Sequence, residues 1–428
     1  MQKKTASAAV ADTRPARSNS PSLGDQICER IEILAGLSDE PGCLTRLYLG
    51  PAHRRATDQV ATWMRDAGMS VQIDSIGSVV GRYAGSHPER PALLLGSHID
   101  TVRDAGRYDG TLGVLSAIAV VDRLHARGVR LPFPIEVLAF GDEEGVRFTG
   151  TLTGSRALAG RFDARLLDEV DQSGISRRQA LLDFGVDGSR FASEIRDPTQ
   201  ISGYIEVHIE QGPVLEAENI AVAVVTAING ANRGRITVKG VSGHAGTVPM
   251  GLRRDAMAAA AEMILAVERR AITGPELVAT VGVIEVTGSA VNAVAGEVMF
   301  TVDIRSPSDA DRKAALAELE QEFVDIADRR AVEVSSRFTY EAASAICDRK
   351  LTAALSASIE RTGTKVRHLP SGAGHDAMAF KDVLPFAMLF VRCRGGVSHN
   401  PAEYASPEDI DIAARILADF VENFGKND

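Results

Sequence analysis

No apolar run in the chain approaches the roughly 18 residues that a membrane-crossing helix needs, so no helical span is expected. Positive charge is also short. Lys and Arg number 47 against 57 Asp and Glu, a formal net charge of −10 at pH 7. That balance argues against a nucleic-acid partner and against a generic anionic membrane surface. A small anionic substrate remains compatible with it, because one or two local arginines suffice to hold one. The four cysteines, Cys28, Cys43, Cys347 and Cys393, show no C-x-x-C spacing. They read as the reduced thiols of a cytoplasmic protein rather than a disulfide framework. Residues 1–22 lack the continuous apolar core of a secretory signal and are expected to form a disordered tail. No repeat of fixed period and no coiled-coil heptad is present.

What is there is an α/β pattern over 428 residues, long enough for two or three domains. The organising stretch is 93–113, LLLGSHIDTVRDAGRYDGTLG. Its apolar opening reads as a strand buried on both faces, and His98 and Asp100 follow at once. Asp109 then precedes a helical pattern beginning near Leu112. Ligands of open α/β sheets bind at such strand ends.

Three more apolar strands end in polar residues. Residues 134–140 run into Asp142-Glu143-Glu144, residues 204–208 end at His208, and residues 385–391 lead toward His399. Helices are expected over 25–37, 51–67 and 407–424, and short strands over 71–74 and 78–83. Between residues 231 and 341 the pattern changes. Strand 235–240, helix 253–271, strands 277–286 and 297–305, helix 309–329 and strand 332–340 follow the βαββαβ order of a ferredoxin-like unit. The expected organisation is therefore a discontinuous catalytic domain, 23–230 with 342–428, and an inserted α+β domain, 231–341.

Mixed imidazole and carboxylate donors at four strand ends suit zinc, manganese, cobalt or iron. Their number exceeds what one ion needs, and two ions sharing a carboxylate would use five ligands economically. Asp100, two residues beyond His98, is placed to accept the other imidazole N–H. Of Glu143 and Glu144, one can bind metal while the other stays free as a general base. His53, His87, His125 and His368 lack a neighbouring carboxylate pattern and read as ordinary packing or surface groups.

Several motifs, His98-x-Asp100, Asp109-Gly110, Glu143-Glu144-Gly145-x-Arg147-Phe148, His208-Ile209-Glu210-Gln211-Gly212, Gly243-His244-Ala245-Gly246-Thr247, Gly372-Ala373-Gly374-His375-Asp376-Ala377 and Ser398-His399-Asn400-Pro401-Ala402-Glu403, occur in this order. The set resembles the dinuclear metal amidohydrolases related to aminoacylase and carboxypeptidase G. It is most similar to the branch containing allantoate amidohydrolase, N-carbamoyl-L-amino acid hydrolase and β-ureidopropionase. The resemblance implies a mixed-sheet, metallo-aminopeptidase-like catalytic domain with an inserted ferredoxin-like lid that dimerises. It implies two divalent ions per subunit, manganese by preference or zinc, on His98, Asp109, Glu144, His208 and His399, with Asp109 bridging. Glu143 would be the general base. His244 would steady the oxyanion, reaching into the partner of a homodimer. Gln211, Arg233, Asn292, Arg305 and the Gly374 backbone match substrate-contacting positions, with Arg305 for the substrate carboxylate. The implied reaction is hydrolysis of a ureido C–N bond, with allantoate as first expectation and N-carbamoyl-L-amino acids or ureidoglycolate as alternatives. A non-catalytic binding homologue is the alternative from a different class. Chain crossings near Ala231 and Glu341 are expected to act as a hinge.

Overall fold

The computed structural model describes residues 21–426. The expected tail falls on residues 1–20, outside the described residues, except at its end, where the chain is ordered. Ser22 caps the first helix, Leu23–Ala35, and exchanges hydrogen bonds with Asp25 in a capping box.

A nine-stranded sheet carries the catalytic part of the chain. At its centre, strands Ile135–Phe140, Ala92–His98, Ile201–Ile209 and Phe386–Val391 lie side by side and parallel. Every residue of Ala92–His98 is buried, because helices cover both faces. Leu93 and Leu95 pack toward one set of core residues, which includes Ile27, Leu115 and Ile416. Leu94 points the other way, among Leu158, Phe380 and Phe390. Parallel alignment puts all four C-terminal ends on one edge, so their polar followers emerge together. Antiparallel strands Ser70–Ile73 and Val79–Tyr83 extend one side of the sheet.

The second sheet is five-stranded and antiparallel. Gly230–Lys239 is flanked by Glu297–Ser306 and Glu333–Ala342, and Ile284–Thr287 lies beyond Glu297–Ser306. This is the strand order of the ferredoxin-like split unit. Helices Ala256–Thr273 and Asp309–Arg330 bury Ala260, Met263, Leu319 and Phe323 against it. The expected strand 277–286 is broken in two, at Val278–Thr280 and Ile284–Thr287. Both halves pair with Glu297–Ser306, but the residues between them outnumber those opposite by one, a bulge around Gly282. Among the described residues no helix is long and apolar enough to cross a membrane.

His53 belongs to the fold rather than to any site. It is fully buried, its ring stacks on Phe184 at 5.2 Å, and Nδ1 accepts the Leu49 N–H at 3.2 Å. Burial, with Arg46 and Arg54 adding to it, pushes its pKa down to about 3. The unfolded chain therefore takes up a proton near pH 6.5 that the folded chain refuses. Its contribution is intact above pH 6.5 and is lost as the pH falls toward 3. Between pH 6.5 and 4 the wild-type chain is expected to lose about 3 kcal/mol through this group. Thermal midpoints of His53→Gln measured over that range should show a shallower acid decline; parallel curves would refute the assignment.

Candidate metal centre

The loop after Ala92–His98 returns Asp109 to the edge where His98 ends. Gly110 then starts helix Thr111–Ala126 with φ of 60°. A Cβ there would lie 2.4 Å from His98 Nε2, so this position needs glycine for space as well as for backbone freedom. Asp109 stands at the centre of the site. Its Oδ1 lies 3.5 Å from His98 Nε2 and 3.0 Å from His208 Nε2. Its Oδ2 lies 3.2 Å from His399 Nε2, which is in turn 3.6 Å from Glu144 Oε2. Two donor groups result, His98/Asp109/His208 and Asp109/Glu144/His399, each with its atoms within 4.8 Å of one another. They share Asp109 and nothing else.

These residues fit a pair of divalent cations in chemistry as well as spacing. His98 Nδ1 lies 3.0 Å from the Asp100 carbonyl and His208 Nδ1 2.9 Å from the Ile209 carbonyl. A proton on Nδ1, assigned from these contacts, leaves each Nε2 lone pair free for a metal. Imidazole with carboxylate is a donor mixture that suits manganese or zinc.

Asp100 acts differently from the expectation. Its carboxylate is 3.7 Å from His98 Nδ1, beyond hydrogen-bond reach, and the main-chain carbonyl of Asp100 takes that role. The carboxylate instead accepts the backbone N–H of Glu143 at 3.2 Å and of Glu144 at 3.3 Å. It thus clamps the turn that carries both glutamates.

The carboxylates and imidazoles of the cluster set one another's proton affinity. Burial alone would raise the Asp109 carboxyl, but His208, His399 and His98 outweigh it and hold the group well below the usual carboxylate range. His399 is lifted to about 9, chiefly by Asp109. Glu144 rises to about 7 through burial and then Asp109. Glu143 keeps some exposure to solvent, yet loss of hydration is its largest influence. With repulsion from Glu144 and Asp376 added, and His98 opposing, its carboxyl sits well above the usual range.

Two residues that received no role in the sequence reading support the centre. Glu403, buried, accepts the N–H groups of Tyr108 at 2.8 Å and Asp109 at 3.1 Å, and takes the Ser398 hydroxyl at 2.9 Å. Its place four residues after His399 was the available signal, but a loop gives that spacing no meaning until it is folded. Glu206, also buried, accepts from Ser97 Oγ at 2.7 Å and forms a further donor group with His208 and His375.

The expected substrate-contacting residues divide into three places. Gln211 lies against the centre, its amide donating to Asp109 Oδ2 and Ser398 Oγ, both at 3.0 Å. Arg233 and Arg305 line a cleft of about 620 Å³ together with Gly372. Arg305 grips Asp303 through Nε at 2.9 Å and Nη2 at 2.8 Å, and Nη1 reaches the Gly372 carbonyl at 2.6 Å. Arg233 Nε also meets Asp303, at 2.9 Å. Gly374, two residues along that loop, would bring a Cβ to 3.8 Å from Glu143 Oε1. His244 and Asn292 are elsewhere. Both are exposed, on a short pairing of Gly243–His244 with Ala293–Val294, and the described contacts do not join them to Asp109.

Residues 94–423 match the family described as Peptidase family M20/M25/M40. Allantoate deiminase 1 of Glycine max is 41% identical, over 94% of this chain and 89% of that protein. The N-carbamoyl-L-amino acid amidohydrolase of Geobacillus stearothermophilus is 38% identical, over 92% of this chain and 97% of that one. A crystal structure of an amidase of the hydantoinase/carbamoylase family from Burkholderia multivorans superposes with a TM-score of 0.88. Its identity is 33%, covering 94% of this chain and 97% of that one. The chain therefore belongs to Peptidase family M20/M25/M40, in its hydantoinase/carbamoylase branch, and is an amidohydrolase acting on C–N bonds other than peptide bonds.

Proposed function

We propose that this chain hydrolyses a ureido C–N bond of allantoate at a dinuclear centre held by His98, Asp109, Glu144, His208 and His399. The observation that carries the reading is the pair of donor groups sharing Asp109, with Glu143 beside them and outside both. Bound divalent cations, manganese by preference, would supply Lewis acidity to the attacking water and to the ureido carbonyl. Glu143 takes the proton from that water and returns it to the departing nitrogen. Water adds to the ureido carbon, the bond to the terminal nitrogen breaks, and ammonia leaves. The remaining carbamate loses carbon dioxide and leaves ureidoglycine. Burial serves Glu143 in this role, because a raised carboxyl pKa brings its proton affinity closer to that of the groups it exchanges with.

The cleft with Arg233 and Arg305 supports a carboxylate-bearing substrate, since a guanidinium meets a carboxylate through two parallel hydrogen bonds. The similarity to the Glycine max allantoate deiminase favours allantoate within that class. The similarity to the Geobacillus enzyme keeps N-carbamoyl-L-amino acids as the second reading. Ammonia release should be measured with allantoate, ureidoglycolate and several N-carbamoyl amino acids after chelation and re-addition of manganese. Preference for a carbamoyl amino acid would replace allantoate by the second reading. Arg305→Lys should raise KM for the preferred substrate about tenfold, because lysine cannot make the bidentate contact; an unchanged KM would remove Arg305 from substrate binding.

We read His244 and Asn292 as completing the site of a second copy. Both are exposed at the short pairing of Gly243–His244 with Ala293–Val294, and Val241, Met250, Leu252 and Val291, near them in sequence, are exposed as well. A chain that sediments as a monomer while fully active would rule this out.

A further inference from the structure

The turn that delivers Glu143 and Glu144 begins with an unusual residue. Asp142, a non-glycine, has φ of 66°, in the left-handed region. Asparagine and aspartate tolerate that region better than other side chains, but it still needs holding. Asp100 holds the far side of the turn through the two glutamate N–H groups. The near side is held by a guanidinium arriving from another part of the sequence.

Arg177 opens helix Arg177–Phe184, inside the polar stretch between two central strands of the large sheet. It is fully buried, as is Asp142. Its Nη1 donates to Asp142 Oδ2 and, at 2.6 Å, to Thr153 Oγ1. The Thr153 hydroxyl donates to the same Asp142 oxygen. Nη2 reaches Glu169 at 3.1 Å, and the guanidinium lies 4.5 Å from the centre of the Phe148 ring. The backbone repeats the grip: Thr153 N–H donates to the Asp142 carbonyl at 3.2 Å, and Gly154 N–H to the Gly141 carbonyl at 3.2 Å. Arg177 thus ties Asp142 to Thr153 on one side and to Glu169 on the other.

We infer that Arg177 is a positioning residue for the dinuclear centre: clamped on Asp142, it holds the left-handed turn that brings Glu143 beside His98 and Glu144 beside Asp109. An apolar side chain could fill the same volume, and buried ion pairs are often replaceable without loss of stability. What an apolar contact lacks is direction. Hydrogen bonds on the Asp142 side chain, together with those that Asp100 accepts from the next two N–H groups, fix how Glu143 and Glu144 leave the strand. The inference rests on the roles proposed for Glu143 and Glu144, and its test separates the two.

The full-length protein is compared with Arg177→Met, Arg177→Lys and the doubly neutral Asp142→Asn/Arg177→Met. Three quantities are read: thermal midpoint, manganese affinity of the metal-free protein by calorimetry, and kcat against KM. Arg177→Met should weaken manganese binding by about ten- to a hundredfold, in the range seen when a ligand's supporting partner is lost. It should lower kcat by about tenfold or more with KM within about twofold, and Arg177→Lys should recover part of both. Should Arg177→Met fail to fold, the doubly neutral variant decides, since it leaves no lone buried charge and the same losses are expected of it. A lower thermal midpoint with manganese affinity and kcat unchanged would overturn the inference and leave Arg177 a structural residue. Glu143→Gln is run alongside. If it is inactive while the Arg177 variants match the parent, the positioning role fails and the proposed function stands. If it is active, the proposed function itself fails.

Discussion

Glutamine at position 143 is expected to reduce turnover by about a thousandfold, within the range that loss of a general base produces. The substitution is nearly isosteric and leaves the neighbouring backbone N–H bonds to Asp100 in place. What it removes is a group able to accept a proton and give it back. Glu143 stands outside both Asp109-sharing donor groups, although it lies within reach of His98 and Glu144, and two cations per chain are expected to remain after its loss. Removing the carboxyl that repels Glu144 should shift cation affinity only modestly. Ammonia release under saturating substrate, with metal content on the same preparation, checks the prediction. Activity above a tenth of the parent would assign the base elsewhere.

Asp109→Ala should have a second large effect, of a different kind. Asp109 is the only residue common to the two donor groups, and its two oxygens face opposite sets of imidazoles. Deleting it takes one ligand from each cation and leaves His98, His208 and His399 without their shared counter-charge. Losing an outer partner of a ligand already costs ten- to a hundredfold in affinity. Losing the shared ligand should cost more than about a hundredfold for both ions, and activity should fall to background. Metal analysis after dialysis against dilute manganese reads this directly. Two cations retained at parental affinity would mean that the centre is not bridged by Asp109.

The convergence of the centre was visible in the chain because of how parallel strands are built. Strands buried on both faces read as unbroken apolar runs, and His98, Glu143, Glu144 and His208 follow such runs directly. Parallel pairing then brings those ends to one edge without further information. The ferredoxin-like unit was legible in the order of strands and helices between residues 231 and 341, and burial along Glu297–Ser306 alternates strictly. Other features depend on folded proximity. Glu403 meets Asp109 across 294 residues of chain, and Arg177 meets Asp142 from inside the polar stretch between two central strands. Local spacing points Asp100 to the nearest imidazole, whereas the turn it holds lies 43 residues away. The extra residue near Gly282 left no mark in the apolar pattern, since both halves of that strand keep pairing with the same neighbour.

The passage between the two sheets has a mechanical consequence. Val222–Ile228 and Gly230–Lys239 leave the large sheet almost without interruption, and Glu333–Ala342 and Ala345–Ile346 come back along the same line. Ile228 pairs with Ala345 on one side of the junction and Ala231 with Ala342 on the other, so the register is kept across it. The connection is therefore a two-stranded strap, not a pair of independent threads. A strap of this kind bends across its flat face far more readily than within its plane. Any bending there would register at the contact of Arg305 Nη1 with the Gly372 carbonyl, at 2.6 Å, which links the smaller unit to the larger.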